Sequence, residues 1–173
     1  SYLFPPLRAH PERGGENFRF TPEEAGRFYA TYQRLTQEPE RFCRLADALC
    51  AGQAVPREDE DCEPTGEGIN CRAGVTGFWL SWDGKLLPCG QMTRPAVPVY
   101  PQGLAHAWKT LREQTAAIRL PKDCEGCALR SACQVCAAKC LCETGRFDQK
   151  PEYVCRMGEA YAEAMRRERE QIT

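Results

Sequence analysis

Histidine is almost absent, with two residues in a chain of 173. A metal site built mainly on imidazole, or a catalytic centre that uses histidine as its proton carrier, therefore has little to draw on. Neither sign of charge dominates: 23 Lys and Arg face 24 Asp and Glu, a formal net charge of −1. That argues against binding nucleic acid or a membrane surface through bulk charge. No run of about 18 apolar residues occurs, so no segment is expected to span a bilayer as a helix. The opening SYLFPPLRAHPERGG has a short apolar patch broken by prolines and no basic leader. It does not match a signal peptide, and a cytoplasmic location is expected. An initiator Met is missing too, and the chain is expected to be a piece of a longer protein.

Cysteine, by contrast, is abundant at 12 residues, crowded most densely into CEGCALRSACQVCAAKC, which starts at Cys124. Disulfides, zinc and iron–sulfur clusters compete for them. Disulfide-dense scaffolds are mostly shorter and secreted. Cys-x2-Cys pairs also make strained local disulfides, whereas they suit two thiolates gripping one metal centre. Metal is the favoured use.

The fold class expected is α+β: a small β-hairpin and helices organised around two metal clusters, with a helical N-terminal segment. Residues 1–60 are expected to form that helical segment and linker, and residues 61–173 the cluster-binding domain. In TPEE, Thr21 predicts an N-cap, Pro22 the first helical position and Glu24 the return bond of a capping box. Ala25, Phe28, Tyr29, Tyr32 and Leu35 then follow helical spacing as an apolar face. A second helix is expected from Pro39, with Phe42, Leu45, Ala46 and Leu49 inward, ending at Gly52. Cys43 and Cys50 on it are expected to be small buried hydrophobes rather than ligands. The charged stretch AVPREDEDCEPTGEGIN that follows is expected to be a linker or surface loop.

In GVTGFWLSWDGKLLPCG, Asp83-Gly84 predicts a two-residue hairpin turn. Pairing outward sets Trp82 beside Lys85, Leu80 beside Leu87 and Phe78 beside Cys89, which carries Cys89 back toward Cys71. Trp79 and Trp82 are expected in the core. Another helix presents Leu104, Trp108 and Leu111, and ends before Pro121. The cysteine-rich stretch is expected to be mostly irregular. The final helix, from about Glu152 to Arg169, turns Val154, Met157, Tyr161 and Met165 inward and ends in a solvated RRERE tail. His106 is expected at the surface or half-buried, and His10 in a polar loop. Arg72, Lys85 and Arg130 flank cysteines, where charge can tune a cluster, although solvated side chains are as good an account. Asp148 and Glu152 precede Cys155, and an acid in a first helical turn is ordinary dipole matching.

Two arrangements of ligands stay open at this level. Cys124, Cys127, Cys133 and Cys136 can hold a single zinc, as in a structural zinc-binding interaction module. The knuckles are closer together than in most zinc ribbons, and the other cysteines are left without a task. Alternatively, two larger iron–sulfur cubes draw ligands from scattered segments. One would take Cys124, Cys127, Cys133 and Cys155; the other would take Cys71, Cys89 and Cys136, with Cys62.

The run Cys71-x12-Gly84-x4-Cys89, then Cys124-x2-Cys127-x5-Cys133-x2-Cys136, then Cys155, resembles the SPASM domain. SPASM domains form the C-terminal extension of radical SAM enzymes that modify peptides and proteins. The resemblance covers residues 62–158. It implies two auxiliary 4Fe–4S clusters with the partition above, serving electron transfer or substrate binding. It also implies two partners, a radical SAM barrel and a peptide or protein substrate; neither nucleic acid nor a membrane is expected, on the balanced charge and the lack of a long apolar run. Cys62 matches the extra upstream cysteine of a fully ligated first cluster. The family has three residues between its fifth and sixth cysteines where this chain has two, so Cys140 is an alternative to Cys136. Residues 1–52 resemble the end of the barrel and its connecting helices. Cys-x3-Cys-x2-Cys, the family's SAM-binding motif, is missing. No catalytic residue is assigned, and S-adenosylmethionine is expected only in an intact enzyme. Zinc is expected to enter the same sites when protein is prepared in air.

Overall fold

The computed structural model describes residues 19–53, 71–133 and 135–172. In chain order these form α1 (Pro22–Thr36), α2 (Pro39–Cys50), β1 (Trp79–Leu80), β2 (Lys85–Leu87), β3 (Val97–Pro98), α3 (Leu104–Ala116), α4 (Arg130–Cys133), α5 (Ala137–Thr144) and α6 (Glu152–Glu170). The strands make one antiparallel sheet in the order β1-β2-β3. The chain is therefore α+β, as expected. Among the described residues no helix is long and apolar enough to cross a membrane.

Two compact units divide the chain, and each is assembled from separated segments. Of the described residues, the first unit holds 19–53, 123–133, 135 and 150–172, and the second holds 71–122 and 136–149. The N-terminal helices thus share a unit with α4 and α6.

In the first unit, α1 starts as its sequence predicts. The Thr21 hydroxyl accepts from the Glu24 amide at 3.2 Å, and the Glu24 carboxylate accepts from the Thr21 amide at 2.9 Å. The Thr21 amide, and after it the Thr21 hydroxyl, donate to the Glu24 carboxylate and hold it below the usual carboxylate range. Removing a cap of this kind costs about 1 kcal/mol. Thr21→Ala is expected to lower stability by about that amount, read as a shift in the urea midpoint at unchanged slope.

The buried face of α1 differs from the expected one. Ala25, Gly26 and Ala30 are buried, while Phe28 and Leu35 are exposed. The reason is how close α6 comes. A Cβ on Gly26 would lie 2.6 Å from the Met157 carbonyl oxygen and 2.6 Å from the Tyr161 amide nitrogen. Only small residues fit such an approach, so the large ones move to the rim. There Phe28 packs against Phe20, Tyr29 and Tyr32, with ring centroids 5.9–6.4 Å apart.

α2 and α6 follow their predicted stripes. Phe42 and Ala46 pack with Ala30, Ala164 and Met165 in one core cluster, and Leu45, Leu49 and Tyr161 pack against it. Val154 and Met157 are buried as well. Cys43 is half-buried and Cys50 exposed, which corrects the expectation that both lie in the core. The charged tail of α6 is also more than a solvated end. Arg169 pairs with Asp47 at 3.0 Å, and Glu168 meets Arg34 at 2.5 Å and the Thr31 hydroxyl at 2.9 Å.

The second unit buries Leu86, Val97, Ala107 and Leu111, with Val99 and Trp108 against them. The hairpin forms, but one residue out of the expected register. Trp79 pairs with Leu87 and Leu80 with Leu86. Its connection is a three-residue loop, Trp82-Asp83-Gly84, closed by Ser81 N–H to the Lys85 carbonyl at 2.9 Å. Gly84 has φ +77°, the left-handed residue that such loops require. Trp82 consequently sits at the tip, 98% exposed, and Trp79 on the edge strand is 57% exposed. Both corrections to the expected core placement follow from that slip and from β1 being an edge strand. Finally, the cysteine-rich stretch is not mostly irregular. Ala137, Ala138, Cys140 and Leu141 are buried along α5, where alanines and a cysteine supply an apolar face that few large side chains announce.

Candidate metal centre

The first unit gathers Cys124, Cys127, Cys133 and Cys155. Cys124 ends a short 3-10 turn (Lys122–Cys124) and is buried; Cys133 ends α4 and is buried; Cys127 is exposed. Cys155 is half-buried in the first turn of α6. These thiols stand within electrostatic reach of one another. Burial raises the Cys124 pKa; the Arg130 guanidinium opposes that rise, while Cys133, Cys127 and Asp123 add to it. Burial pushes Cys155 to about 11, partly offset by Lys150 and reinforced by Cys133, Cys124 and Glu152. Such thiols keep their protons unless a cation replaces them, which is how thiolate metal sites load.

One glycine sets this arrangement. A Cβ on Gly158, one turn beyond Cys155 on α6, would lie 2.5 Å from the Cys133 Cβ and 2.9 Å from its Cα. The missing side chain lets the end of α4 rest directly on α6. Arg130 donates to the Cys124 carbonyl at 3.4 Å, and the Cys133 thiol donates to the Arg130 carbonyl at 3.8 Å. Sequence analysis missed Gly158. Its signal was an interior helical glycine, which costs about 1 kcal/mol unless close packing requires it.

The second unit gathers Cys89, Cys136 and Cys142. Cys89 is half-buried, just after β2, in a turn where the Met92 amide donates to its carbonyl at 3.1 Å. Burial raises its pKa; the Gln91 and Met92 amides lower it, and Cys136 raises it further. Cys136 is the N-cap of α5, in extended conformation. Burial raises Cys142 as well, followed by Cys136, Glu143 and Cys89. Cys140 is fully buried on α5, and its amide donates to the Cys136 carbonyl at 3.0 Å. Cys71 is exposed, shortly before an isolated Ala73–Gly77 bridge. Cys62 and His10 lie outside the described residues.

The described cysteines are not joined by disulfides. Among the described residues no three His, Cys, Asp or Glu side chains converge tightly enough to hold a single metal ion. A tetrahedral zinc needs its donor sulfurs about 2.3 Å from one point, whereas a cuboidal cluster spreads its thiolates around a larger body. Of the flanking charges, Arg130 and Lys150 act on thiols, and Lys85 pairs with Asp83 at 2.5 Å. Asp148 pairs with Arg146 at 2.8 Å, and His106 is exposed. Compared with known proteins, the chain matches no family, no curated sequence and no solved structure.

Proposed function

We propose that this chain is an auxiliary-cluster domain of the SPASM type, holding two 4Fe–4S clusters within a radical SAM enzyme that modifies a peptide or protein. One observation carries this reading. The boundary between the compact units falls between Val135 and Cys136, inside the Cys133-x2-Cys136 pair. Cys133 therefore shares a unit with Cys124, Cys127 and Cys155, and Cys136 shares the other with Cys71 and Cys89. Two separate thiol groups make sense of a pair that one ion would otherwise keep together.

The chemistry of the donor set suits the clusters: thiolate-forming side chains divided between the two compact units. Bound clusters supply one-electron transfer or, at an iron without a protein ligand, a hold on substrate. The chain's own residues have definite tasks. Cys124, Cys127, Cys133 and Cys155 hold one cluster, with Arg130 and Lys150 offsetting negative charge. Cys71, Cys89 and Cys136 hold the other, with Cys62 its expected fourth ligand. A reducing cytoplasmic setting suits free thiols. Without Cys-x3-Cys-x2-Cys, the chain itself is assigned no SAM cleavage; a radical SAM barrel is the partner and the peptide the substrate.

Protein reconstituted without oxygen is expected to absorb broadly near roughly 400 nm and to contain about eight irons with matching sulfide. Colourless protein carrying one or two zincs would replace this reading with a structural zinc module.

A further inference from the structure

We infer that the free edge of β1 is where an extended peptide docks as a fourth strand, with apolar side chains at alternate positions and an acidic one next in the alternation. Taking that peptide to be the substrate rests on the function proposed above; the docking edge itself rests on the fold of the second unit. The register shows which backbone groups are free. Ser81 N–H bonds to the Lys85 carbonyl, so these two residues form a hydrogen-bonded pair, and the ladder alternates from there. Leu80, opposite Leu86, is then a non-hydrogen-bonded pair, and its N–H and C=O point away from the sheet. The β2–β3 ladder agrees, because Lys85 stands there opposite Pro98, which has no N–H to donate. Edges of this kind are usually blunted by Lys or Pro, whereas this one reads Phe78-Trp79-Leu80.

The side chains continue the surface. Phe78 is 42% and Leu80 57% exposed, and Phe78 rests on Trp108 of α3 with ring centroids 5.3 Å apart. Trp79 points to the opposite face, where Gly90 makes room for it: a Cβ there would lie 3.3 Å from the indole. Gly90 follows Cys89, so a peptide on this edge would pass beside the turn that carries that thiol. The paired stretch is short, and side chains supply most of the contact.

Charge selects the occupant. Arg112, one turn past Trp108, holds its guanidinium 5.9 Å from that ring, and among the described residues no carboxylate pairs with it. Asp83 at the hairpin tip is already matched by Lys85 at 2.5 Å. Glu113 stands four residues from Lys109, the spacing of a helical ion pair. The apolar strip therefore ends in an unmatched cation. One helical turn, about 5.4 Å, is close to the two-residue step of a strand, about 6.6 Å. An acid two residues beyond the apolar side chain over Phe78 and Trp108 would reach Arg112.

The test selects random decapeptides against the anaerobically prepared full chain and then measures binding of a selected peptide by fluorescence polarisation. Selected sequences should alternate apolar residues and carry Asp or Glu next in the alternation. Leu80→Pro keeps the β1–β2 ladder but removes the outward N–H, and should weaken binding about tenfold. Arg112→Glu should weaken it by about tenfold or more, and binding should return when the acid of the peptide is replaced by Lys. That exchange cannot be mimicked by a misfolded variant. If no such peptides are selected, or if both variants bind as the parent does, the edge is not a docking site. A chain that pairs with its own copy, and becomes monomeric in Leu80→Pro, would also overturn the proposal. Iron content of the same sample reports on the clusters separately. Eight irons without selection would remove the docking edge alone, whereas selection by iron-free protein would support the edge and remove the cluster reading.

Discussion

Cys133→Ala is expected to remove about four of eight irons, while Cys43→Ala leaves the count unchanged. Cys133 is buried at the end of α4, and its thiol acts on both Cys124 and Cys155. Cys43 is half-buried on α2, and the charged group it acts on is Arg169 rather than a cysteine of the group. Stability should separate the two roles further. In metal-free protein the change deletes one sulfur and keeps the Cβ on which the α6 contact rests, so about 1 kcal/mol is at stake. In loaded protein, binding free energy is folding free energy, and the loss should reach several kcal/mol, on the order of half a structural metal site. Iron analysis and thermal unfolding of both forms measure this. Iron lost with Cys43 and kept without Cys133 would show that the thiols have been grouped wrongly.

Gly158→Ala is the second large effect, and its sign is the informative part. Alanine in a helix interior is ordinarily better than glycine by about 0.5–1 kcal/mol. Here the new methyl would meet the Cβ and Cα of Cys133 at 2.5 and 2.9 Å, with its amide nitrogen at 3.3 Å. No rotamer change removes a backbone clash, so α4 must move off α6. Overpacking of this kind costs about 1–3 kcal/mol, which outweighs the propensity gain. Urea unfolding of metal-free protein should show net destabilisation, and reconstituted protein should lose iron from the group containing Cys133. Gly77→Ala is the control: a Cβ there meets nothing within 4 Å. It should stay within about 0.5 kcal/mol of the parent chain. If Gly158→Ala stabilised the protein, the close approach of α4 to α6 would be wrong.

Local signals set much of what is seen. Thr21, Pro22 and Glu24 start α1 because their hydrogen bonds close within three residues. Phe42 and Ala46 on α2, and Val154, Met157 and Met165 on α6, are buried because an apolar stripe has only one way to face a core. Asp83-Gly84 announces a reversal, and Gly84 does take the left-handed conformation. The α+β class follows from these elements.

Tertiary structure decided matters on which neighbouring residues carry no information. Whether the hairpin loop holds two residues or three depends on which face Leu86 buries against Val97, Ala107 and Leu111, and that choice sends Trp79 and Trp82 outward. Gly26 and Gly158 matter only because another backbone passes within a few ångströms, so both look like weak helix formers in the sequence. Cys142 meets the Cys89–Met92 turn across 51 residues of chain. Composition and spacing determine that thiols are plentiful and paired. Which sulfurs meet depends on long-range packing, because electrostatic and steric contacts act over distance in space, not along the sequence.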